Sequence, residues 1–212
     1  KNLFIDLGTH MGGGILDFIN KYKMSSDTWE IHTFEPHPII FELGGKNDNN
    51  HYDEHPHSFS SLNEALIRIP TIQRHNAAAS IDDGETQFFI EWDLNQLKMG
   101  SSIIKEVADL NQKDFTGKYV NVKTVDIFKF IKQKTDLNIF DNLIIKMDIE
   151  GAEFEVIKSI NFDKVFIDVI GFENNYNDVS VPIVEYLNNK GFVSSHRSTD
   201  IFMINKMSMF YK

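Results

Sequence analysis

The chain has 212 residues, of which 42% are hydrophobic and 12% aromatic, so it is long enough to fold around a full core. Its net charge of −10 argues against nonspecific binding to nucleic acid or to an anionic membrane, because both need clustered positive charge. The absence of cysteine excludes disulfides, thiolate catalysis and thiolate zinc sites, and no apolar run approaches the ~20 residues of a membrane span. No secretion-signal pattern opens the chain, so we expect a cytoplasmic protein.

Strands and helices alternate along almost the whole chain, which is typical of a doubly wound α/β sheet. The patterns predict strands at 3–7, 30–35, 71–76, 119–124, 143–147, 165–172, 192–196 and 200–205, and helices at 13–23, 38–44, 61–67, 103–111, 127–134, 151–159 and 179–190. Asp83-Gly84 predicts the bend of a hairpin. We therefore expect a single domain over residues 1–212, with a Rossmann-like, mostly parallel sheet and helices on both faces.

A glycine-rich turn follows the first predicted strand and leads into a helix. Gly8 and Gly12 let the backbone turn sharply and approach a ligand, but their spacing is not that of the dinucleotide motif Gly-x-Gly-x-x-Gly. Glu35 ends the next strand, where an acid can accept hydrogen bonds from both hydroxyls of a ribose. The glycine turn and Glu35 together indicate a nucleoside ligand without a bridging pyrophosphate, and S-adenosylmethionine is such a ligand. The residues predicted to bind it are Asp6, Gly8, Thr9, His10, Gly12, Glu35, Pro36, Asn76 and Ala77.

Three acids follow the apolar strand 143–147 directly, namely Asp148, Glu150 and Glu153. Carboxylates at the C-terminal end of a parallel strand lie where open α/β sheets bind their ligands. Lys146 interrupts the apolar run, and a charge there is costly unless it is paired or faces a cleft. A role of this motif in catalysis is therefore the favoured interpretation. Two structural alternatives stay open: Glu150 can serve only to place a negative charge at the start of the next helix, and Lys146 can be a purely structural ion-pair partner.

These motifs resemble those of the FkbM-type S-adenosylmethionine-dependent methyltransferases. The resemblance rests on Phe4-Ile-Asp-Leu-Gly8, Phe34-Glu-Pro36, Asn76-Ala-Ala-Ala-Ser80 and, as the most specific element, Lys146-Met-Asp-Ile-Glu-Gly-Ala-Glu153. One departure from the family pattern is Thr9-His10, where members usually carry small residues followed by a variable position. The resemblance implies a class I methyltransferase fold and methyl transfer, usually to a hydroxyl of a sugar or a secondary metabolite.

Methyl transfer to a hydroxyl requires that the acceptor lose a proton, which a positioned base or a metal ion assists. We predict Asp148, Glu150 and Lys146 as the catalytic residues, with Asp148 as base and Lys146 neutralising the developing oxyanion. Glu173 ends the next strand and should reach the same cleft. The set Asp148, Glu150 and Glu173 suits Mg²⁺, Mn²⁺ or Ca²⁺, while direct hydrogen bonding to sugar hydroxyls without a metal is the alternative.

The expected organisation is a cofactor half at about 1–92 and an acceptor and catalytic half at about 93–212. We expect the acceptor, a saccharide or another small polar molecule, to be held by the polar segments 44–61 and 93–118, with Phe89, Trp92, Ser101 and Ser102 as candidates to line its site. Two alternatives stay open: a catalytically silent nucleoside-binding module of the same fold, and a methyltransferase with a peptide acceptor. The sequence carries no signal for an oligomeric state.

Overall fold

A computed structural model describes residues 1–44, 56–90, 101–111, 118–174, 177–197 and 200–211. Its strands are β1 (Asn2–Leu7), β2 (Trp29–Phe34), β3 (Gln73–His75), β4 (Ala78–Ser80), β5 (Gly84–Phe89), β6 (Tyr119–Asp126), β7 (Leu143–Met147), β8 (Val169–Glu173), β9 (Phe192–Arg197) and β10 (Asp200–Asn205). Its helices are α1 (Gly13–Tyr22), α2 (Pro38–Leu43), α3 (Pro56–Arg68), α4 (Lys105–Asn111), α5 (Ile127–Leu137), α6 (Glu153–Ser159) and α7 (Asn177–Asn189), and a short 3₁₀ turn spans Met209–Tyr211. Trp92 lies outside the described residues, as do parts of the two polar segments.

The main sheet has seven strands in the order β3-β2-β1-β7-β8-β10-β9. The pairs from β3 to β8 are parallel, whereas β10 runs antiparallel to both β8 and β9. The central strands β1 and β7 are almost continuously buried, as expected of parallel strands that are covered on both faces. The predicted Rossmann-like, mostly parallel sheet is confirmed.

Helices cover both faces of this sheet and separate the core into two clusters. On one face α5, α6 and α7 contribute Ile131, Ile157 and Leu187 to a cluster with the inward side chains of β1, β7 and β8. On the other face α1 and α3 contribute Ile19 and Leu62 to a smaller, aromatic-rich cluster. Asp126 caps the N-terminus of α5, because its carboxylate accepts a hydrogen bond from the backbone N–H of Lys129 at 2.9 Å.

A second, three-stranded sheet has the order β4-β6-β5. The predicted hairpin at Asp83-Gly84 is therefore wrong: the bend and its returning strand exist, but β6 lies between β4 and β5, parallel to one and antiparallel to the other. The Asp83 carboxylate accepts a hydrogen bond from the backbone N–H of Asp126 at 3.1 Å, which ties the bend to the end of β6. Long-range pairing with β6 thus overrides the local hairpin signal.

The strand order reverses at β1, which lies between β2 and β7. The chain leaves β1 toward β2 on one side and returns to β7 on the other, so the loops after β1 and β7 diverge and leave a crevice at their C-terminal ends. The loops after these strands carry the glycine turn and the acidic motif. In the part of the chain that the structure describes, the helices are too short or too polar to cross a bilayer.

Candidate active site

A cavity of about 280 Å³ opens at the C-terminal ends of β1, β2 and β7. The glycine turn, the end of β2 and the acidic motif all contribute to its wall. It is lined by Gly8, Thr9, His10, Met11, Gly13, Gly14, Glu35, Pro36, His37, Ile40, Ala78, Ala79, Phe88, Ser101, Ile103, Lys146, Asp148, Ile149, Glu150 and Ala152. A cavity with an apolar wall and a few convergent polar groups at a switch point is typical of a ligand site.

The glycine turn packs backbone to backbone against the acidic motif. Gly8 has a φ of +79°, and a Cβ built there would lie 1.8 Å from the carbonyl oxygen of Asp148. The Asp148 N–H in turn donates to the Leu7 carbonyl at 2.8 Å. Only a residue without a side chain fits between these two loops, so the requirement for glycine at this position is steric as well as conformational.

Glu35 connects the glycine turn to the end of β2. Its two carboxylate oxygens accept hydrogen bonds from the backbone N–H groups of His10 and His37, each at 2.8 Å. Burial raises the pKa of this carboxyl to about 7, and the two N–H donors offset only part of the rise. Each oxygen retains a lone pair that can accept a further hydrogen bond from a ligand hydroxyl in the cavity.

The cavity also has an apolar wall, which was not predicted from the sequence. It comprises Ile40, Ala78, Ala79, Phe88 and the ring of His37. The His37 side chain caps α2 by accepting from the Ile40 N–H at 3.4 Å, and its ring stands at 90° to Phe88 with centroids 6.3 Å apart. Burial lowers the pKa of His37 to about 4, so the ring is neutral at pH 7. A flat, weakly polar heterocycle suits such a wall.

The acidic motif forms a tight loop, residues 148–152, which we call the signature loop. Its shape comes from Glu153, whose buried carboxylate accepts hydrogen bonds from the N–H groups of Ile149 at 2.8 Å and Gly151 at 2.9 Å. Glu150 and Gly151 both adopt positive φ, of 53° and 99°. Glu153 therefore holds the loop from beneath, while Asp148 and Glu150 line the cavity.

Lys146 lies below the signature loop between two carboxylates. Its Nζ is 3.7 Å from an oxygen of Asp6 and 3.7 Å from an oxygen of Asp148. Burial alone would lower the pKa of this lysine, but the surrounding carboxylates, led by Asp6 and Asp148, outweigh burial and raise it. The Lys146 ammonium is therefore retained, and it directs one positive charge toward the floor of the cavity.

The three acids predicted as a metal set do come together. Asp148, Glu150 and Glu173 each offer one carboxylate oxygen, and these oxygens lie within 4.8 Å of one another. Glu173 reaches the group from the end of β8, and its cross-strand neighbour is Asp200, the first residue of β10. All three residues are half-buried, and Asp148 and Glu150 also line the cavity.

Most of the predicted site residues line the cavity, and a few lie behind it. The lining includes the predicted Gly8, Thr9, His10, Glu35, Pro36, Lys146, Asp148 and Glu150. Of the residues predicted to line the acceptor site, Ser101 lines the cavity. The remaining predicted residues are not among those that line it, namely Asp6, Gly12, Asn76, Ala77, Phe89, Ser102 and Glu173. Asp6 is buried beside Lys146, Gly12 packs on Leu62 of α3, and the Asn76 amide donates to the Glu35 carbonyl at 2.8 Å.

Comparison with known proteins agrees with this geometry. Residues 6–194 match the family model described as the methyltransferase FkbM domain. The fold is similar to that of the methyltransferase FkbM from Methylobacillus flagellatus KT, with a TM-score of 0.53 and 13% identity over 96% of this chain. This chain spans 43% of the length of that protein.

More distant likenesses reach two further solved structures. A rRNA methylase from Streptococcus thermophilus has a TM-score of 0.42 at 8% identity, over 97% of this chain and 87% of its own. A precorrin-6y C5,15-methyltransferase from Geobacter metallireducens GS-15 has a TM-score of 0.39 at 13% identity, over 96% of this chain and 77% of its own. No curated protein sequence matches the chain significantly. The fold is that of a class I methyltransferase, and the chain belongs to the FkbM family of methyltransferase domains.

Proposed function

We propose that the protein transfers a methyl group from S-adenosylmethionine to a hydroxyl of a saccharide or another small polar acceptor. The observation that carries the proposal is that one cavity combines a nucleoside-type half, built on Gly8 and Glu35, with the carboxylates of Asp148 and Glu150. The family implies use of S-adenosylmethionine. Bound there, the cofactor supplies a methyl group already activated by its sulfonium.

The cofactor half of the cavity has groups for each part of such a nucleoside. Glu35 accepts from the ribose hydroxyls, and the apolar wall of Ile40 and Phe88 packs against the base. The glycine turn lets the backbone approach the amino-acid end of the ligand. His10 and Thr9 line the cavity beside that turn and are the side chains that can contact the amino-acid end.

The acceptor half is built for proton removal and orientation. Asp148 accepts the proton that the acceptor hydroxyl loses, and Glu150 holds a neighbouring hydroxyl. Lys146, whose Nζ lies 3.7 Å from a carboxylate oxygen of Asp148, opposes the negative charge that develops on the acceptor oxygen. Holding the acceptor in line is the larger contribution, since alignment of two reactants supplies about 7–11 kcal/mol of a barrier.

A divalent cation held by Asp148, Glu150 and Glu173 is the second candidate for this half. One carboxylate oxygen from each of the three residues lies within 4.8 Å of the other two, so a single oxygen-liganded cation such as Mg²⁺, Mn²⁺ or Ca²⁺ could be held by all three. Such an ion would polarise the acceptor hydroxyl and lower its pKa. Its presence is tested by calorimetric titration of Ca²⁺, Mn²⁺ and Mg²⁺ into wild type and Glu173→Gln.

The test of the proposed function begins with binding. Calorimetric titration of S-adenosylhomocysteine should show binding to wild type, and transfer of labelled methyl should follow with a panel of mono- and oligosaccharides. Asp148→Asn should lower kcat/KM by about 10²–10⁴ through loss of the base while leaving S-adenosylhomocysteine affinity within about threefold. Asp163→Asn is the matched control, since Asp163 is exposed in the loop between α6 and β8, at the opposite edge of the sheet. A folded wild type that does not bind S-adenosylhomocysteine would refute the proposal.

A further inference from the structure

The segment that carries α4 is attached to the signature loop through one buried side chain, Ser102. Ser101 and Ile103 line the cavity, while Ser102 between them points away from it, as alternation along an extended segment requires. Ser102 is 1% exposed. Its hydroxyl donates to the carbonyl of Glu150 at 2.8 Å and accepts from the Ile104 N–H at 2.9 Å.

The backbone around Ser102 is fixed as well. Its N–H and C=O form a two-way bridge with Phe89, at 3.2 Å and 2.8 Å, which joins the segment to the end of β5. The side-chain hydroxyl therefore starts from a rigid position. Because it accepts from the Ile104 N–H, its own proton is left to point at the Glu150 carbonyl.

Glu150 needs an external restraint because of its conformation. It adopts a φ of +53°, and the following Gly151 adopts +99°. Glu153 bonds the N–H groups on either side of Glu150, whereas Ser102 bonds the Glu150 carbonyl itself. A Cβ on Gly151 would lie 2.9 Å from a methyl of Val107 on α4, so α4 also packs on the loop at this point.

We propose that Ser102 is a positioning residue for methyl transfer: it fixes the Glu150 peptide and thereby aims the Glu150 carboxylate at the acceptor. This inference rests on the proposed function and adds a residue that has no contact with the cavity. Ser102 acts through Glu150, so removing its hydroxyl should impair the chemical step and leave the cofactor half of the cavity unchanged.

The test compares Ser102→Ala, Glu150→Gln and the double variant in labelled methyl transfer, with S-adenosylhomocysteine affinity measured in parallel. Ser102→Ala should lower kcat by about 10- to 100-fold, as loss of a residue that orients a functional group does. Its S-adenosylhomocysteine Kd should stay within about twofold, since the Glu35 contacts are intact. The double variant should be no slower than Glu150→Gln, because Ser102 contributes by aiming the carboxylate that this variant already lacks.

Ser159→Ala is the matched control, since the Ser159 hydroxyl also donates to a backbone carbonyl, that of Val156 at 2.7 Å, but at the far end of α6. Ser102→Thr retains the hydroxyl and should recover most of kcat, which loss of packing alone would not allow. If Ser102→Ala does not fold, Ser102→Cys carries the same comparison with a weak donor of similar size.

The outcomes separate the two proposals. If wild type is active and the kcat of Ser102→Ala lies within about twofold of it, the positioning role is overturned and the proposed function stands. The same holds if the losses of the two single variants multiply in the double variant. A folded wild type that neither binds S-adenosylhomocysteine nor transfers methyl refutes the proposed function and, with it, the role of Ser102.

Discussion

The affinity for S-adenosylhomocysteine should rise about tenfold between pH 6 and pH 8, because Glu35 ionises in that interval. Its pKa is raised to about 7 by burial. With that pKa, about one molecule in eleven carries the carboxylate at pH 6 and about ten in eleven at pH 8. If the ribose hydroxyls require the ionised form, the dissociation constant falls by the ratio of these fractions.

The coupling between ligand binding and ionisation of Glu35 also predicts that protons are released when the ligand binds. A ligand that binds only the ionised carboxylate expels the proton from the fraction that still holds it, which is about half of the molecules at pH 7. Calorimetric titrations in buffers of different ionisation enthalpy should therefore report the release of about 0.5 proton per ligand bound at pH 7. His37 does not contribute, because its pKa of about 4 leaves it neutral throughout the interval.

Glu35→Gln is the control for this experiment. The amide keeps the size of the side chain but cannot ionise, so its weaker affinity should not vary between pH 6 and 8, and any ionisation of the ligand itself cancels in the comparison. Glu35→Ala is a poorer probe, because it leaves the N–H groups of His10 and His37 without their acceptor, at about 1–3 kcal/mol each. Equal affinity of wild type at pH 6 and 8, with no proton released, would contradict the role given to Glu35.

Three further changes test the framework of the site by urea unfolding. Gly8→Ala should lower the free energy of unfolding by more than the ~1–2 kcal/mol that a left-handed conformation costs, because its Cβ meets a carbonyl of the signature loop. Gly13→Ala, with open space around its Cβ, should change that free energy by no more than ~0.5 kcal/mol. Equal effects would exclude the steric argument. Lys146→Met should cost about 3–5 kcal/mol by leaving Asp6 buried without its cation, and adding Asp6→Asn should restore most of that stability. A double variant no more stable than the single one would contradict the ion pair. Burial holds the pKa of His75 at about 4, so the unfolded chain takes up its proton first and stability falls as pH drops from about 6.5 to 4. His75→Phe should reduce that slope by at most about 1.4 kcal/mol per pH unit, which is the limit for one proton, and an unchanged slope would assign the acid sensitivity to other groups.

The parts of the fold that were predictable are those with a strong local signal. The continuous apolar runs of β1 and β7 could be recognised because parallel strands covered on both faces leave no polar alternation. Glu35 and Asp148 were identifiable because each directly follows a strand of the parallel sheet. The helix at Pro56–Arg68 was predicted shorter, and the pairing around Asp83 was predicted incorrectly, since β6 joins that sheet from a distant part of the sequence.

The site itself was predictable at the ends of strands and not between them. The apolar wall, which includes Ile40 and Phe88, has no sequence motif, because apolar residues that line a cavity cannot be told from core residues by their type. Glu153 stands in the acidic motif, but its role beneath the loop depends on two backbone N–H groups whose direction no spacing reveals. Ser102 was predicted to line the acceptor site, but it is buried behind the cavity, and its bond to the Glu150 carbonyl appears only in the fold.

Different residues of the acidic motif hold the backbone of the signature loop and line the cavity, and this separation affects which substitutions the site can accept. Glu153 fixes the path of the loop, so the side chain at position 150 contributes little to its shape. A left-handed position accepts Asn, Asp or Gly readily, so the side chain at position 150 can change while the loop keeps its path. Under the proposed function, single substitutions at position 150 should therefore change the acceptor preference, whereas a change at Glu153 should alter the backbone of the whole loop.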